Sequence, residues 1–137
     1  MGNHQETAST LKMLADYMEN GFLDNIVDMF KHDKRYYPLI GELLGDERSR
    51  VRIGTFALVE TLKTEDDDNV LLAIPGIAKL LNDPNATIRG DAAYLLGVIG
   101  HKGALPFLVS ASDDEHDLVR ETIEEAIKDI KEGNGDI

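Results

Sequence analysis

The chain has 137 residues, no cysteine and a formal net charge of −12. A chain of this length buries a sizeable core as one domain without a disulfide or a structural metal, and the absence of cysteine excludes a disulfide framework, a thiolate nucleophile and a thiolate metal site. Residues 65–137 carry 6 Lys and Arg against 16 Asp and Glu, a balance of −10, which disfavours nucleic acid and anionic lipid as ligands and favours either basic partners or simple solubility.

The first 33 residues predict a pair of helices. Residues 1–8 are polar and are expected to be frayed, with Ser9 or Thr10 capping a helix over 10–20. Apolar residues at helical spacing predict a second helix over 22–32. The sequence shows neither a basic and apolar leader nor a run of about 20 apolar residues, so a soluble, cytoplasmic protein without membrane contact is expected.

An internal repeat occupies the rest of the chain. Three prolines each open a predicted helix, an aspartate follows each proline after eight positions, and an arginine follows each aspartate after six. These residues are Pro38, Pro75 and Pro106, then Asp46, Asp83 and Asp114, then Arg52, Arg89 and Arg120.

Apolar residues recur at a period near 3.6 within each repeat, which predicts one buried helix face used three times. The expected helices span 36–45, 48–63, 69–82, 86–100, 103–112 and 116–132. The chain then divides into a degenerate N-terminal cap hairpin (1–33), three repeats (34–63, 69–100 and 103–132) and a frayed tail (133–137). The first and second repeats are six residues further apart than the second and third, and the acidic run 65–68 is expected to form a solvated loop there.

The motifs in these repeats resemble HEAT repeats, and in particular the short bacterial and archaeal kind also found in phycobilisome lyases. The resemblance rests on the Pro-x-Leu/Ile helix start, the Leu-Leu-x-Asp turn, the Val/Ile-Arg opening and the Ala-Ala-x-Leu-Leu-Gly run, and is best over residues 82–89. It implies an all-α fold, a right-handed α-solenoid of about four helical hairpins, whose second helices line a concave surface. It also implies an internal Asp/Arg ladder, formed by Asp46, Asp83, Asp114, Arg52, Arg89 and Arg120.

A guanidinium can hold a carboxylate and backbone carbonyls at once, so the six ladder residues are interpreted as structural. The candidate partner-binding residues are Phe56 and Tyr94, which could flank the inner surface, and Arg48 and Arg50. Packing inside the fold is the alternative role for the two aromatic residues. For the arginines the choice is between a local anion site and the cationic complement of the acidic half.

No residue pattern indicates catalysis, a cofactor or a metal. The four histidines are scattered, without the i, i+4 spacing of helical metal ligands. The segment Asp113–Asp117 could hold a divalent cation, but it lacks the glycine turn and the distant bidentate Glu of an EF-hand loop. A turn in which Asp113 or Asp114 caps the last helix is the preferred interpretation.

Two functions follow as hypotheses. The first is a non-enzymatic adaptor that binds a protein or peptide, preferably a basic one, on the concave face. The alternative, suggested by the resemblance to phycobilisome lyases, is a bilin lyase-like or chromophore-handling protein. Nucleic-acid binding is disfavoured by the charge, and homo-oligomerisation is left open because a short solenoid has exposed ends.

Overall fold

The computed structural model describes residues 4–135 and shows an all-α solenoid; that part of the chain contains no β-strand. Its α-helices are α1 (His4–Glu19), α2 (Leu23–His32), α3 (Ile40–Leu44), α4 (Ser49–Glu65), α5 (Asp67–Val70), α6 (Ile74–Lys79), α7 (Ala86–Ile99), α8 (Leu105–Ser110) and α9 (Asp117–Gly135). Short 3₁₀ turns at Lys34–Leu39, Leu71–Ala73, Leu80–Asn82 and Lys102–Ala104 extend the short helices α3, α5, α6 and α8.

The helices form two layers. The second helices of successive hairpins lie side by side, α2 against α4, α4 against α7 and α7 against α9, with the most extensive contact between α7 and α9. The first helices form the other layer, in which α3 packs against α6 and α8 packs across onto α9. Each second helix therefore buries one stripe between the layers and leaves another exposed to solvent.

The predicted buried face is confirmed. The face predicted from the second helices of the three repeats has fifteen positions, of which only Ile88 and Ile127 are less than fully buried. The buried ones are Val51, Thr55, Leu58, Val59, Leu62, Ala92, Leu95, Leu96, Ile99, Val119, Ile123, Ala126 and Ile130. In the first helices the stripe weakens towards the C-terminus: Leu108 is buried, Ala111 is half-buried and Ser112 is exposed. Burial of this periodic apolar stripe provides the main driving force for the fold.

Several predicted boundaries were wrong. The first helix begins at His4 instead of residue 10, so Ser9 and Thr10 lie inside it and do not cap it; residues 1–3 of the predicted frayed segment lie outside the described residues. The predicted tail is helical through Gly135, and its residues 136–137 also lie outside the described part.

The acidic insertion is helical instead of a loop. Helix α4 continues through Glu65, and Asp66 links it to α5. The carboxylate of Asp66 accepts a hydrogen bond of 2.5 Å from the Tyr37 hydroxyl and another of 3.1 Å from the Asn69 amide. Because the Tyr37 ring is fully buried, this contact ties the inserted helix to the start of the first repeat.

Two glycines allow the first helices of neighbouring repeats to cross closely. A Cβ atom at Gly41 would lie 2.2 Å from the Gly76 carbonyl oxygen, and one at Gly76 would lie 2.7 Å from the Pro38 carbonyl oxygen. Real Cβ atoms do not approach oxygen this closely, so the contact between α3 and α6 requires glycine at these positions.

Candidate functional site: the groove between the last two second helices

One ladder arginine connects two repeats. Arg89, in the first turns of α7, donates from Nε and Nη2 to the two carboxylate oxygens of Asp114, at 2.8 and 3.1 Å. Its Nη1 donates to the backbone carbonyl oxygens of Asp83 and Pro84, at 2.9 and 3.2 Å. The hydrogen bonds from Arg89 lower the pKa of the Asp114 carboxyl. The Arg89 guanidinium and the Asp114 carboxylate are therefore engaged with protein groups.

The first repeat is connected differently. Arg48, and not Arg52, binds the Asp46 carboxylate, at 3.1 Å from Nε, and its Nη1 reaches Asp16 of α1 at 3.0 Å. Arg52 makes only a long contact of 3.5 Å to the Asp46 carbonyl oxygen. Arg48, a candidate partner-binding residue, is thus engaged between the N-terminal hairpin and the first repeat, whereas Arg50 beside it is exposed.

The other ladder residues stabilise turns. The Asp83 carboxylate accepts from the Asn85 backbone N–H at 2.8 Å. Arg120 donates to the Asp114 carbonyl oxygen at 2.6 Å and contacts the Asp117 carboxylate. The structure therefore brings Arg89 and Asp114 together across two repeats but holds Asp83 and Arg120 within their own turns.

The segment Asp113–Asp117 forms a turn whose cap differs from the predicted one. The imidazole Nδ1 of His116 accepts from the Leu118 backbone N–H at 3.3 Å at the start of α9, while the Asp114 carboxylate accepts from the His116 N–H at 2.9 Å. The predicted capping by Asp113 or Asp114 was wrong, because Asp114 is turned towards Arg89. Within residues 4–135, no group of three or more His, Asp or Glu side chains is placed to hold a metal ion.

The two candidate aromatic residues lie together on the exposed side of the second helices. The rings of Phe56 on α4 and Tyr94 on α7 are 5.8 Å apart between centroids and tilted by 53°. Phe56 is half-buried, whereas 47% of Tyr94 is exposed. Tyr94 is therefore available to a partner, and Phe56 supports it from behind.

A groove of about 570 Å³ runs beside Tyr94, between α7 and α9. Gly97 and Ala126 lie between its walls, where a Cβ atom on Gly97 would be only 3.1 Å from the Cβ of Ala126. Because the two helices approach so closely at these small residues, a third element can come near both of them. A smaller cavity of about 300 Å³ continues the groove past Tyr94 towards the start of α9, and it is lined by Asp91, His116 and Leu118 among others.

The two walls of the groove differ in chemistry. The α7 wall presents Tyr94 and Val98, whereas the α9 wall presents the carboxylates of Glu121, Glu125 and Asp129 at intervals of four residues. In the adjoining cavity, burial raises the pKa of the Asp91 carboxyl. The arrangement can hold an element that carries an apolar stripe next to positive charge.

The sequence did not reveal the acidic wall or the exposed aliphatic residues on the second helices. Ile53 on α4 is 67% exposed and Leu118 on α9 is 65% exposed. The last helix does carry carboxylates at a four-residue spacing, but with 26 acidic residues in the chain this spacing could not be distinguished from that of other surface carboxylates. Only the packing of α7 on α9 shows which of the exposed carboxylates border a groove.

Comparisons with known proteins agree with this architecture. Residues 72–128 match the family model of HEAT repeats. Deoxyhypusine hydroxylase from Aspergillus clavatus is 29% identical over 82 residues, which cover 58% of this chain and 24% of the hydroxylase. The chain thus spans about a quarter of the length of this curated relative.

The two-layer array of helical hairpins, with an arginine joining neighbouring repeats, defines an α-solenoid. The match of residues 72–128 to the HEAT-repeat model confirms the resemblance that the motifs predicted. The finer resemblance to phycobilisome-lyase repeats stays a prediction. None of the helices that the structure describes combines the length and apolar character needed to cross a lipid bilayer.

Proposed function

We propose that this protein is a non-enzymatic adaptor that binds a segment of another protein in the groove between α7 and α9. The observation that carries the proposal is the exposed Tyr94 on the α7 wall of the groove, opposite the acidic wall of α9. Interaction sites in proteins are commonly grooves with an aromatic anchor and a few well-placed polar groups. We propose a cytoplasmic location and a protein or peptide ligand, without cofactor, nucleic acid or membrane lipid.

The charges around the groove support a basic partner. Glu121, Glu125 and Asp129 all border it, and the C-terminal half of the chain carries a balance of −10. Such a field attracts cationic segments and speeds their association, while it repels phosphate backbones. The partner is therefore expected to bind less tightly as salt rises.

The relative does not supply an activity for this chain. The similarity to deoxyhypusine hydroxylase covers 24% of that enzyme, a length that fits the shared repeat architecture. Whether this chain catalyses a reaction therefore has to be judged from its own residues. Those that line the groove form a binding surface.

Photo-crosslinking tests the proposal. A benzoylphenylalanine placed at Tyr94 is expected to capture a protein in lysate of the source cell, and less of it as ionic strength rises from about 0.05 M to about 0.5 M. The matched control is the same group at Phe107 on α8, which is 43% exposed and does not line the groove. Equal capture at both positions would contradict a groove site, and recovery of a coloured small molecule in place of a protein would favour the chromophore-handling alternative.

A further inference from the structure

We infer that the segment bound in this groove is an amphipathic α-helix with a row of Lys or Arg residues beside an apolar row, an inference that rests on the proposed function. The row of basic residues lies against α9 and the apolar row lies against α7. Three features of the groove lead to this conclusion: the spacing of its carboxylates, the position of the acidic wall within the repeat, and the kinds of side chain that line it.

The carboxylates follow the period of a helix. Glu121, Glu125 and Asp129 are one turn apart, which places them about 6 Å apart and about 12 Å from first to last along α9. A partner helix lying along the groove presents side chains at the same interval when its basic residues recur every fourth position. Each of its three basic side chains then faces one carboxylate.

The repeat alignment shows that the acidic wall is specific to α9. The positions of Glu121, Glu125 and Asp129 correspond to small, aromatic or aliphatic residues in the second repeat and to uncharged residues in the first. The sets of equivalent residues are Ile53, Gly90 and Glu121; Ala57, Tyr94 and Glu125; and Thr61, Val98 and Asp129. Because the fold accepts uncharged residues here, the carboxylates are not needed to build the repeat, and they give the groove one apolar and one anionic side.

The lining residues favour a helix over an extended peptide. A buried extended peptide must have its backbone N–H and C=O groups satisfied by the surface that binds it, whereas a helix satisfies most of them internally. No Asn or Gln, whose amides both donate to and accept from a peptide backbone, lines the groove, and of its two hydroxyls that of Thr122 already donates to the Leu118 carbonyl oxygen. The lining residues are Tyr94, Gly97, Val98, Glu121, Thr122, Glu125, Ala126 and Asp129. The backbone groups of α7 and α9 are already bonded within their helices.

Small residues at the contact between α7 and α9 leave room above it for a third helix. Gly97 has no side chain and Ala126 only a methyl group, so little rises between the two walls at this level. When helices pack, the side-chain ridge of one helix lies in a groove of the surface it contacts. An apolar row of the bound helix that lies near Tyr94 and Val98 fits this kind of packing.

Fluorescence anisotropy with synthetic probes tests the inference on the full chain. The probe is a labelled Leu/Lys peptide of about 18 residues, or five turns, with Lys at every fourth position beside a row of Leu. The comparison peptide has the same design with two central prolines, which break the helix but keep its basic charge. The protein variant combines Glu121→Gln, Glu125→Gln and Asp129→Asn. Its control combines Asp113→Asn, Glu124→Gln and Glu132→Gln, three exposed carboxylates outside the groove with the same total charge change.

We expect the helical peptide to bind the unmodified protein, the groove variant to bind it at least about tenfold more weakly, and the control variant to stay within about twofold. The proline peptide should bind at least about tenfold more weakly than the helical one.

If both peptides bind equally and both lose affinity to the groove variant, the helical form is overturned while the groove function stands. If the groove variant binds as the control does, both proposals are overturned. If neither peptide binds at about 1 mM, the inference is overturned, and crosslinking at position 94 then decides the groove function separately.

Discussion

Arg89 and Asp114 form a bidentate ion pair across the junction between the last two repeats, with N···O distances of 2.8 and 3.1 Å. The two side chains are 10% and 8% exposed, the least exposed ion pair in the described part of the chain. The same guanidinium also donates to the carbonyl oxygens of Asp83 and Pro84. One side chain thus connects the turn of its own repeat to the turn of the next, and α7 and α9 carry the groove on either side of this junction.

Replacing Arg89 by alanine is expected to lower the melting temperature by about 5–10 °C. The substitution leaves the Asp114 carboxylate in a nearly buried position without its cation, and it leaves two backbone carbonyls without their donor. Thermal unfolding followed by circular dichroism measures the change. An unchanged melting temperature would show that the ladder role assigned to Arg89 is wrong.

The matched control for this substitution is Arg35→Ala. Arg35 also makes a bidentate pair, with Asp33, but its side chain is 87% exposed. Exposed ion pairs contribute little to stability because water and salt screen them. The control is therefore expected to change the melting temperature by about 1 °C or less.

Acid is expected to weaken the same junction. The hydrogen bonds from Arg89 lower the pKa of Asp114, so the folded state holds this proton less tightly than the unfolded state, whose Asp pKa is about 3.9. The resulting stabilisation is complete above that value and is lost as the pH falls through the lower, folded pKa. Between about pH 5 and pH 2, the free energy of unfolding should therefore fall more steeply for the unmodified protein than for Asp114→Asn.

Comparison of the two proteins isolates Asp114 from the other carboxyls. The pKa of Asp33, for example, is lowered to about 2 by its hydrogen bonds from Arg35, but this residue is present in both proteins. Its contribution cancels in the difference between them. Urea unfolding at a series of pH values gives the two slopes, and equal slopes would contradict the assignment.

Gly41→Ala is expected to destabilise the fold by about 3 kcal/mol or to prevent folding. The added methyl carbon would lie 2.2 Å from the Gly76 carbonyl oxygen, a backbone atom that cannot move without shifting α6. Urea unfolding measures the loss. The control is Gly133→Ala on α9, where the added methyl carbon would meet no atom within 4 Å outside the local helix backbone, and where alanine should stabilise the helix by up to about 1 kcal/mol.

Tyr37→Phe is expected to cost about 1–3 kcal/mol of unfolding free energy. The Asp66 carboxylate loses a donor at 2.5 Å, and with it the hydrogen bond that joins the start of α5 to the first repeat. Burial raises the pKa of Tyr37, so the wild-type stabilisation is present below about pH 10 and declines above it. Tyr36→Phe is the control, because the half-buried ring of Tyr36 packs on Phe30 and keeps this contact without its hydroxyl.

The repeat period predicted the solenoid because core positions obey a local rule. Residues such as Leu58 and Leu95 are buried by any packing of the repeats, so their spacing alone predicts them. The insertion was harder: the run Glu65, Asp66, Asp67, Asp68 is hydrophilic, as loops are, yet all of it except Asp66 is helical. Asp66 links the two helices, and Tyr37 and Asn69 donate to its carboxylate there. That contact joins residues 29 positions apart, and no local pattern contains it.

The candidate site was only partly predictable for the same reason. Tyr94 follows from its helical position after Arg89, and its exposure agrees with the proposed role in binding. The partners of Arg48 and Arg52 depend on how the turns sit against α1, so the spacing of Asp46 and Arg52 did not show that Arg48 binds the Asp46 carboxylate. The acidic wall of the groove depends on the rotation of α9 against α7, which the sequence does not record.

Tyr94→Ala is expected to weaken binding of a groove ligand by about tenfold or more, because exposed aromatic residues at the centre of an interface contribute much of its affinity. Stability should fall by no more than about 1 kcal/mol, since 47% of the side chain is exposed and its main lost contact is the ring of Phe56. Isothermal titration calorimetry with the helical Leu/Lys peptide measures the first effect and urea unfolding measures the second.

Phe107→Ala, which removes an aromatic ring of similar exposure outside the groove, should leave the affinity within about twofold. No loss in either variant would mean that the peptide binds by its charge alone, without seating its apolar row between α7 and α9.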